Sequence, residues 1–341
     1  MVQTLNAADM ELAARLLVAL DSLEYESFTV KRLESMLGSV RTLNKQAVQA
    51  AFDTLKEELT DYAAYEAAFQ ADLFSAALPE IVLRHLPLQT ITPQQLYASA
   101  MARPFQGRLL REWADNLEGD RMTRLTNAVR QGYLNGDTTE AIARKVRGIV
   151  SKHFEDGALE ASRRNAMTIA RTAVSHVAAT ARNDFARQNA DLIKGKQWLS
   201  TLDTRTTPMC IVRDGLEYTL DNEPIGHSVP YLTGPGKIHW CCRSTETFVL
   251  RAWDEFGIDV NEWNASTRAS MDGQVAPDTT YGDWLERQSA ERQEAVLGAT
   301  RAKLMREGGL TTDRFYNDKG WWLTLDELRE RDAMAFRRAG L

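Results

Sequence analysis

The residues most able to do chemistry are concentrated in one block of the chain, between Trp198 and Arg243. The block holds two of the five histidines, His227 and His239, and all three cysteines, Cys210, Cys241 and Cys242. Thiols and imidazoles can bind a metal, or act together as nucleophile and base. A free cysteine can also pack as a small apolar side chain. The block therefore has three interpretations.

The first interpretation is a structural metal site. Zinc prefers thiolate and imidazole ligands and is usually held by four of them in a tetrahedral shell. The ligand candidates are Cys210, His239, Cys242 and Cys241, and the fourth ligand could instead be His227, Asp203 or Asp214. In an extended segment, His239 and Cys241 would share one face and Cys242 would point to the other. These residues can therefore bind one ion only if the chain turns between them.

The second interpretation is a core that needs no ion. The cysteines would be buried, and Arg205 and Arg243 would pair with Asp203 or Asp214 to fix the turns. The third interpretation is catalysis, with Cys210 as nucleophile, a histidine as base and Asp203 orienting the imidazole. Cys210 follows Thr-Pro-Met rather than a glycine-rich elbow, and the chain has no phosphate-binding glycine loop or His-Glu-x-x-His motif. The sequence therefore favours a protein that is not an enzyme.

The order of residues in the block resembles the core of the phage head morphogenesis family, the Mu F-like minor capsid proteins. The resemblance is carried by Trp198, the turn from Asp203 to Thr206 that includes Arg205, Cys210, the turn Asp214-Gly215, and the ending His239-x-x-Cys242-Arg243. Family members usually have a second cysteine where this chain has Thr207, and a third residue of a Cys-Arg-Cys ending where it has Ser244. Cys241 is additional to the pattern.

Flanking segments extend the resemblance over roughly the last two thirds of the chain. Upstream, Ile169 to Phe185 is similar to the family's Ala-Arg-Thr helix, with Arg171 and Thr172 at the matching positions. Downstream, three segments resemble those of many phage-encoded members: 279–288, 296–311 and 323–330.

The resemblance implies a structural minor head protein of a tailed phage or prophage. Such a protein would link portal, scaffold or major capsid protein during procapsid assembly in the host cytoplasm. It would then remain in the virion, in the capsid interior or at the portal vertex. No cofactor is implied, apart from the zinc that the first interpretation allows.

Around this block, the sequence predicts a mainly α protein with a small α+β module. Apolar residues recur at helical spacing in the N-terminal half, as at Val48, Phe52, Leu55 and Leu59. Short strands are predicted at Gln197–Thr201 and Thr245–Leu250, and a polar linker at Asn264–Thr280. We divide the chain into a helical N-terminal domain, a basic helical region, the module, and a C-terminal linker with a helical unit, at 1–118, 119–195, 196–250 and 251–341.

Charge and composition narrow the function classes. The net charge of −6 is distributed unevenly, and the region 121–187 has an excess of basic residues. Arg144, Lys145 and Arg147 in this region are candidates for contact with DNA or an acidic partner, which makes a DNA-binding accessory protein the alternative function. No apolar run reaches the ~20 residues that span a bilayer, so no membrane partner is expected. Trp321-Trp322 is either a partner anchor or core.

Overall fold

A computed structural model of the chain describes residues 1–21, 30–149, 152, 154–257 and 267–341. Helices dominate the N-terminal half, and their bounds are α1 Val2–Asp21, α2 Val30–Ala77, α3 Glu80–His85, α4 Pro93–Ala102, α5 Leu110–Leu134, α6 Thr139–Arg147 and α7 Glu160–Gln188. The prediction of a mainly α fold with a small α+β module is confirmed. Within the described residues, no helix has both the length and the apolar character needed to cross a bilayer.

The described chain forms two compact units, the first made of 1–63 and 97–177 and the second of 64–96 and 178–341. Apolar side chains from α1, α2, α5 and α6 form a core of the first unit, and the predicted stripe of Val48, Phe52, Leu55 and Leu59 is buried on α2. Thr138 caps α6 by accepting a hydrogen bond from the Ala141 N–H.

A buried ionic network lies inside the first unit. Asp9 on α1 accepts hydrogen bonds from Arg121 on α5 and from Arg163 on α7, the latter at 3.0 Å. Asn44 on α2 accepts a further bond, at 2.9 Å, from the Nε of Arg121. The Arg121 side chain is 0% exposed and that of Asp9 is 2% exposed. The network therefore ties four helices together by charge at a position shielded from water.

The second unit contains a four-stranded antiparallel sheet. Its strands are β1 Ile193–Leu199, β2 Glu217–Thr219, β3 Pro224–Ile225 and β4 Thr245–Leu250, in the order β3-β2-β1-β4. Both predicted strands are present, and β1 begins four residues before the predicted start. One side of the sheet packs against helical residues around Phe74 and Phe185. This arrangement leaves two long connections, β1–β2 and β3–β4, that carry the cysteines and histidines.

The C-terminal part of the second unit has its own core. It contains a hairpin of β5 Arg268–Ser270 and β6 Gly273–Val275, followed by five helices: α9 Tyr281–Glu286, α10 Ala290–Leu297, α11 Ala299–Arg306, α12 Leu325–Arg331 and α13 Ala333–Arg338. The remaining helix of this unit, α8 Pro208–Ile211, is a single turn earlier in the chain. Residues 264–266 of the predicted linker lie outside the described residues. The prediction was wrong for 268–275, because these residues form two paired strands joined by a tight turn at Met271-Asp272.

Candidate functional site

The β1–β2 connection places Cys210 in the interior by means of several local hydrogen bonds. Trp198 near the end of β1 is 1% exposed, and its indole N–H donates to the Ser200 hydroxyl. Ser200 in turn donates to the Cys210 carbonyl at 2.8 Å. Pro208 opens the single turn of α8 that carries Cys210. At the far end, Gly215 adopts φ +78° and donates its N–H to the Trp198 carbonyl, so the connection closes on itself.

The β3–β4 connection brings His239 and Cys242 together by a turn. The Cys242 N–H donates to the His239 carbonyl at 3.2 Å, and Cys241 between them adopts φ +53°. This left-handed conformation costs a non-glycine residue roughly 1–2 kcal/mol. The turn is the condition that the metal interpretation required. The turn leaves the Cys241 side chain outside the group of possible ligands. That group comprises Cys210, His239 and Cys242, whose ligand atoms lie within 4.8 Å of one another.

Two thiols, one imidazole and two hydroxyls meet where the connections touch. The Cys210 Sγ lies 3.7 Å from the Cys242 Sγ and 3.3 Å from the His239 Nε2. The Thr207 Oγ1 lies 2.9 Å from the same nitrogen, and Ser244 forms a side-chain hydrogen bond with Cys210. Both cysteine side chains are 1% exposed. Thr207 and Ser244, the positions at which the resemblance described above leads us to expect cysteines, therefore lie beside Cys210 and His239.

The electrostatics of the Cys/His cluster (Cys210, His239 and Cys242) follow from these contacts. The hydrogen bond from Cys210 lowers the pKa of Cys242 to about 4; burial opposes the shift and His239 reinforces it. The same thiol–thiol hydrogen bond, together with burial, raises the pKa of Cys210. The hydrogen bond with Cys242 raises the pKa of His239, against the effect of burial. The two thiols therefore titrate as one coupled pair, in which Cys242 is the more acidic member.

Two ion pairs fix the connections around the cluster. Asp203 binds the Arg243 guanidinium through both carboxylate oxygens, and it also accepts the Arg205 N–H at 3.0 Å. Asp214 pairs with Arg268 of the hairpin, at 2.6 Å from its Nη2. The expected pairing of Arg243 with Asp203 is therefore present, whereas Asp214 uses an arginine that lies in the predicted linker. Arg205 contributes its backbone to the turn and has an exposed side chain.

Asp214 also organises its own surroundings. Its carboxylate accepts the Ser200 N–H and the Tyr281 N–H, each at 2.6 Å, in addition to the bonds from Arg268. The side chain is 1% exposed. Sequence reasoning missed Ser200 and Arg268. The turn signal Asp272-Gly273 could have revealed the hairpin, but no local pattern predicts that Arg268 reaches Asp214, 54 positions away.

Other predicted site residues lie elsewhere. His227 bonds the Glu217 carbonyl at 2.8 Å and packs edge-on against Tyr218, apart from the cluster. Arg171 and Thr172 are on the part of α7 that belongs to the first unit; Arg171 is exposed, and Thr172 is buried and donates to the Thr168 carbonyl. In the last turn of α6, Arg144 is exposed, Lys145 pairs with Asp137, and Arg147 lies over the Phe154 ring.

The catalytic interpretation required Asp203 to orient a histidine. In the structure the His239 Nδ1 is 3.0 Å from the Trp240 carbonyl, and Asp203 is occupied by Arg243. The triad considered from the sequence is therefore not assembled. Beside the cluster opens a cleft of about 240 Å³, lined by residues that include Thr207, Cys210, His239, Cys241 and Ser244. The arrangement can join two connections, and its two sulfurs and one nitrogen can donate electron pairs to a metal ion.

Comparison with known proteins identifies the region that carries this site. Residues 123–247 match the family model described as Phage Mu protein F like protein. No curated protein and no solved structure matches the chain. The matched region runs from within α5 through β4 and includes every residue of the cluster. The resemblance read from the sequence is therefore confirmed over 123–247, and the chain carries the segment of the Mu F-like phage head morphogenesis family. The resemblance of 279–288, 296–311 and 323–330 lies outside the matched region and stays a prediction.

Proposed function

We propose that the chain is a structural minor head protein that joins the portal to the scaffold or major capsid protein during procapsid assembly. The family match over residues 123–247 carries this proposal, because it relates the chain to phage head proteins. In this role the chain acts by binding, not by turnover, and it stays in the virion after assembly. The Cys/His cluster then serves to hold the β1–β2 and β3–β4 connections in one conformation.

The test is assembly in a host that expresses portal, scaffold and major capsid protein from the same phage genome, with and without this chain. We expect the chain to co-sediment with procapsids and to co-purify with the portal when coat protein is omitted. A chain that stays in the soluble fraction, while procapsids form with the normal number of portals, contradicts the proposal.

The exposed member of the Trp321-Trp322 pair supports a docking contact in the C-terminal part. Trp321 is 53% exposed, whereas Trp322 stacks near Tyr316 and lies beneath the Arg301 guanidinium, 4.6 Å from it. Buried aromatic anchors contribute much of the affinity at protein interfaces. We expect Trp321→Ala to weaken co-purification with a partner at unchanged thermal stability. Trp322→Ala is the matched control and should instead lower the thermal stability.

A DNA-binding accessory role is the second candidate, and the basic last turn of α6 supports it. Neutralising Arg144, Lys145 and Arg147 together should abolish DNA binding that weakens steeply with salt, by roughly one power of salt concentration per phosphate contact. Lys303→Ala with Arg306→Ala, in the basic last turn of α11, is the matched control. Equal DNA binding by the triple variant and the wild type excludes this surface.

A further inference from the structure

We propose that Cys210, His239 and Cys242 bind one zinc ion through three protein ligands, with the fourth coordination position facing the adjoining cleft. The proposal rests on the geometry of these side chains and does not depend on the assembly role. It differs from the set of ligands considered from the sequence, because Cys241 is excluded and no protein side chain is assigned as the fourth ligand.

The distances within the cluster match those between ligands of one tetrahedral ion. With Zn–S bonds of about 2.3 Å and Zn–N bonds of about 2.0–2.1 Å, tetrahedral angles place two sulfurs ~3.8 Å apart and a sulfur and a nitrogen ~3.6 Å apart. The Cys210 Sγ lies 3.7 Å from the Cys242 Sγ and 3.3 Å from the His239 Nε2. The Cys210 Sγ is therefore within a few tenths of an ångström of the expected separation from both partners, and the ligand atoms of His239 and Cys242 lie within 4.8 Å of each other.

The histidine is oriented as a metal ligand. A carbonyl oxygen only accepts hydrogen bonds, so the Nδ1 that lies 3.0 Å from the Trp240 carbonyl carries a proton and donates it. In the neutral ring the Nε2 then carries the lone pair, and this nitrogen lies 3.3 Å from the Cys210 Sγ and 2.9 Å from the Thr207 hydroxyl, whose hydrogen bond a metal ion would replace. Donation from the second ring nitrogen to a backbone carbonyl is the usual way in which proteins fix a ligating imidazole.

The surroundings leave room for one exogenous ligand. The alternatives weighed for the fourth position are engaged elsewhere: Asp203 with Arg243, Asp214 with Arg268 and His227 with a backbone carbonyl. The cleft reaches the cluster beside the hydroxyls of Thr207 and Ser244. Two hydroxyls give a bound water the hydrogen-bond partners that it needs. We therefore assign the fourth position to water.

The first experiment measures zinc in the full chain purified without chelator from cells grown in zinc-supplemented medium. We expect about one equivalent in the wild type and in Cys241→Ser, and less than about a third of an equivalent in Cys210→Ser, Cys242→Ser and His239→Ala. Cys241→Ser is the matched control, because it removes the adjacent thiol outside the cluster. A metal-free wild type, or one in which Cys210 and Cys242 form a disulfide, overturns the proposal.

A second experiment uses only folded wild-type protein and so does not depend on the variants folding. Cobalt replacing zinc should give the visible bands of a tetrahedral ion and a near-ultraviolet thiolate charge-transfer band. Added cyanide should shift the visible bands, because the fourth ligand is exchangeable. In Thr207→Cys, where a thiol can occupy that position, the shift should be lost. Cobalt spectra without the charge-transfer band, or unaffected by cyanide in the wild type, contradict the three-ligand site.

Discussion

The two units use buried polar side chains in different ways to hold distant segments together. In the first unit, Asp9 and two arginines form a network that water does not reach and that joins helices 112 and 154 positions apart. In the second, Cys210 and the pair His239 and Cys242 join two connections that are about 30 positions apart, beside an open cleft. In the ionic network both carboxylate oxygens of Asp9 are bonded by arginines of the protein, whereas the thiol and imidazole atoms retain lone pairs that a metal ion can use. A polar contact that is closed to water is therefore suited to a purely structural role. A polar contact beside a cleft can also bind a ligand that enters through the cleft.

The largest effect is expected where a charge is left unpaired inside the first unit. Asp9→Ala leaves Arg121 without its carboxylate partner and leaves Arg163 with only its pair to Glu160. Breaking a buried ion pair in this way costs about 3–5 kcal/mol of the free energy of unfolding. Urea denaturation followed by circular dichroism measures it. Glu11→Ala on the same helix is the control, because its pair with Arg15 is exposed and contributes about 0.5 kcal/mol or less. Equal losses in the two variants would show that the buried network stabilises the protein no more than an exposed ion pair does.

A somewhat smaller effect is expected at the ion pair that supports the cluster from the hairpin. Asp214→Asn keeps the shape of the side chain but removes the charge that binds Arg268 and weakens the bonds from the Ser200 and Tyr281 amides. We expect a loss of about 2–4 kcal/mol in the unfolding free energy. Asp313→Asn, at an aspartate that is 75% exposed, should change it by less than about 0.5 kcal/mol. A loss at Asp214 no larger than at Asp313 contradicts the assigned role.

Removal of one sulfur tests the cluster itself, and in metal-free protein we expect an intermediate effect. Cys242→Ala should lower the unfolding free energy by about 1–2 kcal/mol, since a buried sulfur is replaced by a small cavity. Cys241→Ala should lower it by less, because this side chain is only half-buried and lies outside the cluster. Both are measured by urea denaturation in the presence of chelator and reductant. A larger loss of unfolding free energy in Cys241→Ala than in Cys242→Ala would contradict the stabilising role assigned to the thiols of the cluster.

The smallest effect is expected at Asp203 and depends on pH. Burial opposes ionisation of Asp203, but the hydrogen bonds from Arg243 and the Arg205 amide outweigh it and lower the pKa of the carboxyl group. A lowered folded-state pKa stabilises the protein above the unfolded pKa of ~3.9 and ceases to do so as pH falls through the folded value. Because Arg243 is partly exposed, we expect about 1 kcal/mol or less.

The measurement compares wild type and Asp203→Asn by urea denaturation at several pH values. The difference in unfolding free energy should be constant between pH ~7 and ~5 and shrink toward zero below pH ~4. A difference that grows as the solution becomes acidic has the wrong sign and rejects the assignment.

Local patterns predicted the elements well, because helical periodicity, caps and turn residues act over a few positions. The stripe at Val48 to Leu59 and the strand Thr245–Leu250 are present as expected. For the candidate site, the sequence predicted the residue types, cysteine and histidine, but not which of the cysteines lie together. Whether Cys241 or Cys242 joins His239 depends on one left-handed residue, and the sequence carries no glycine there to signal it.

The long-range contacts could not be predicted from the sequence, for a related reason. Asp9 bonds arginines more than a hundred positions away, and Asp214 bonds Arg268, 54 positions away. An isolated charged residue looks the same in a sequence whether it pairs in the interior or meets water. These pairings follow from how helices and loops pack, which no short motif encodes.

In this interpretation the Cys/His cluster holds the β1–β2 and β3–β4 connections of the module together. Hydrogen exchange of backbone amides in wild type and Cys242→Ala measures whether the cluster couples them. We predict faster exchange in both segments, 200–214 and 239–244, in the variant, because release of one connection frees the other, while amides of the helical core in the first unit exchange at their wild-type rates. Faster exchange confined to 239–244, with 200–214 unchanged, would show that the cluster does not couple the connections.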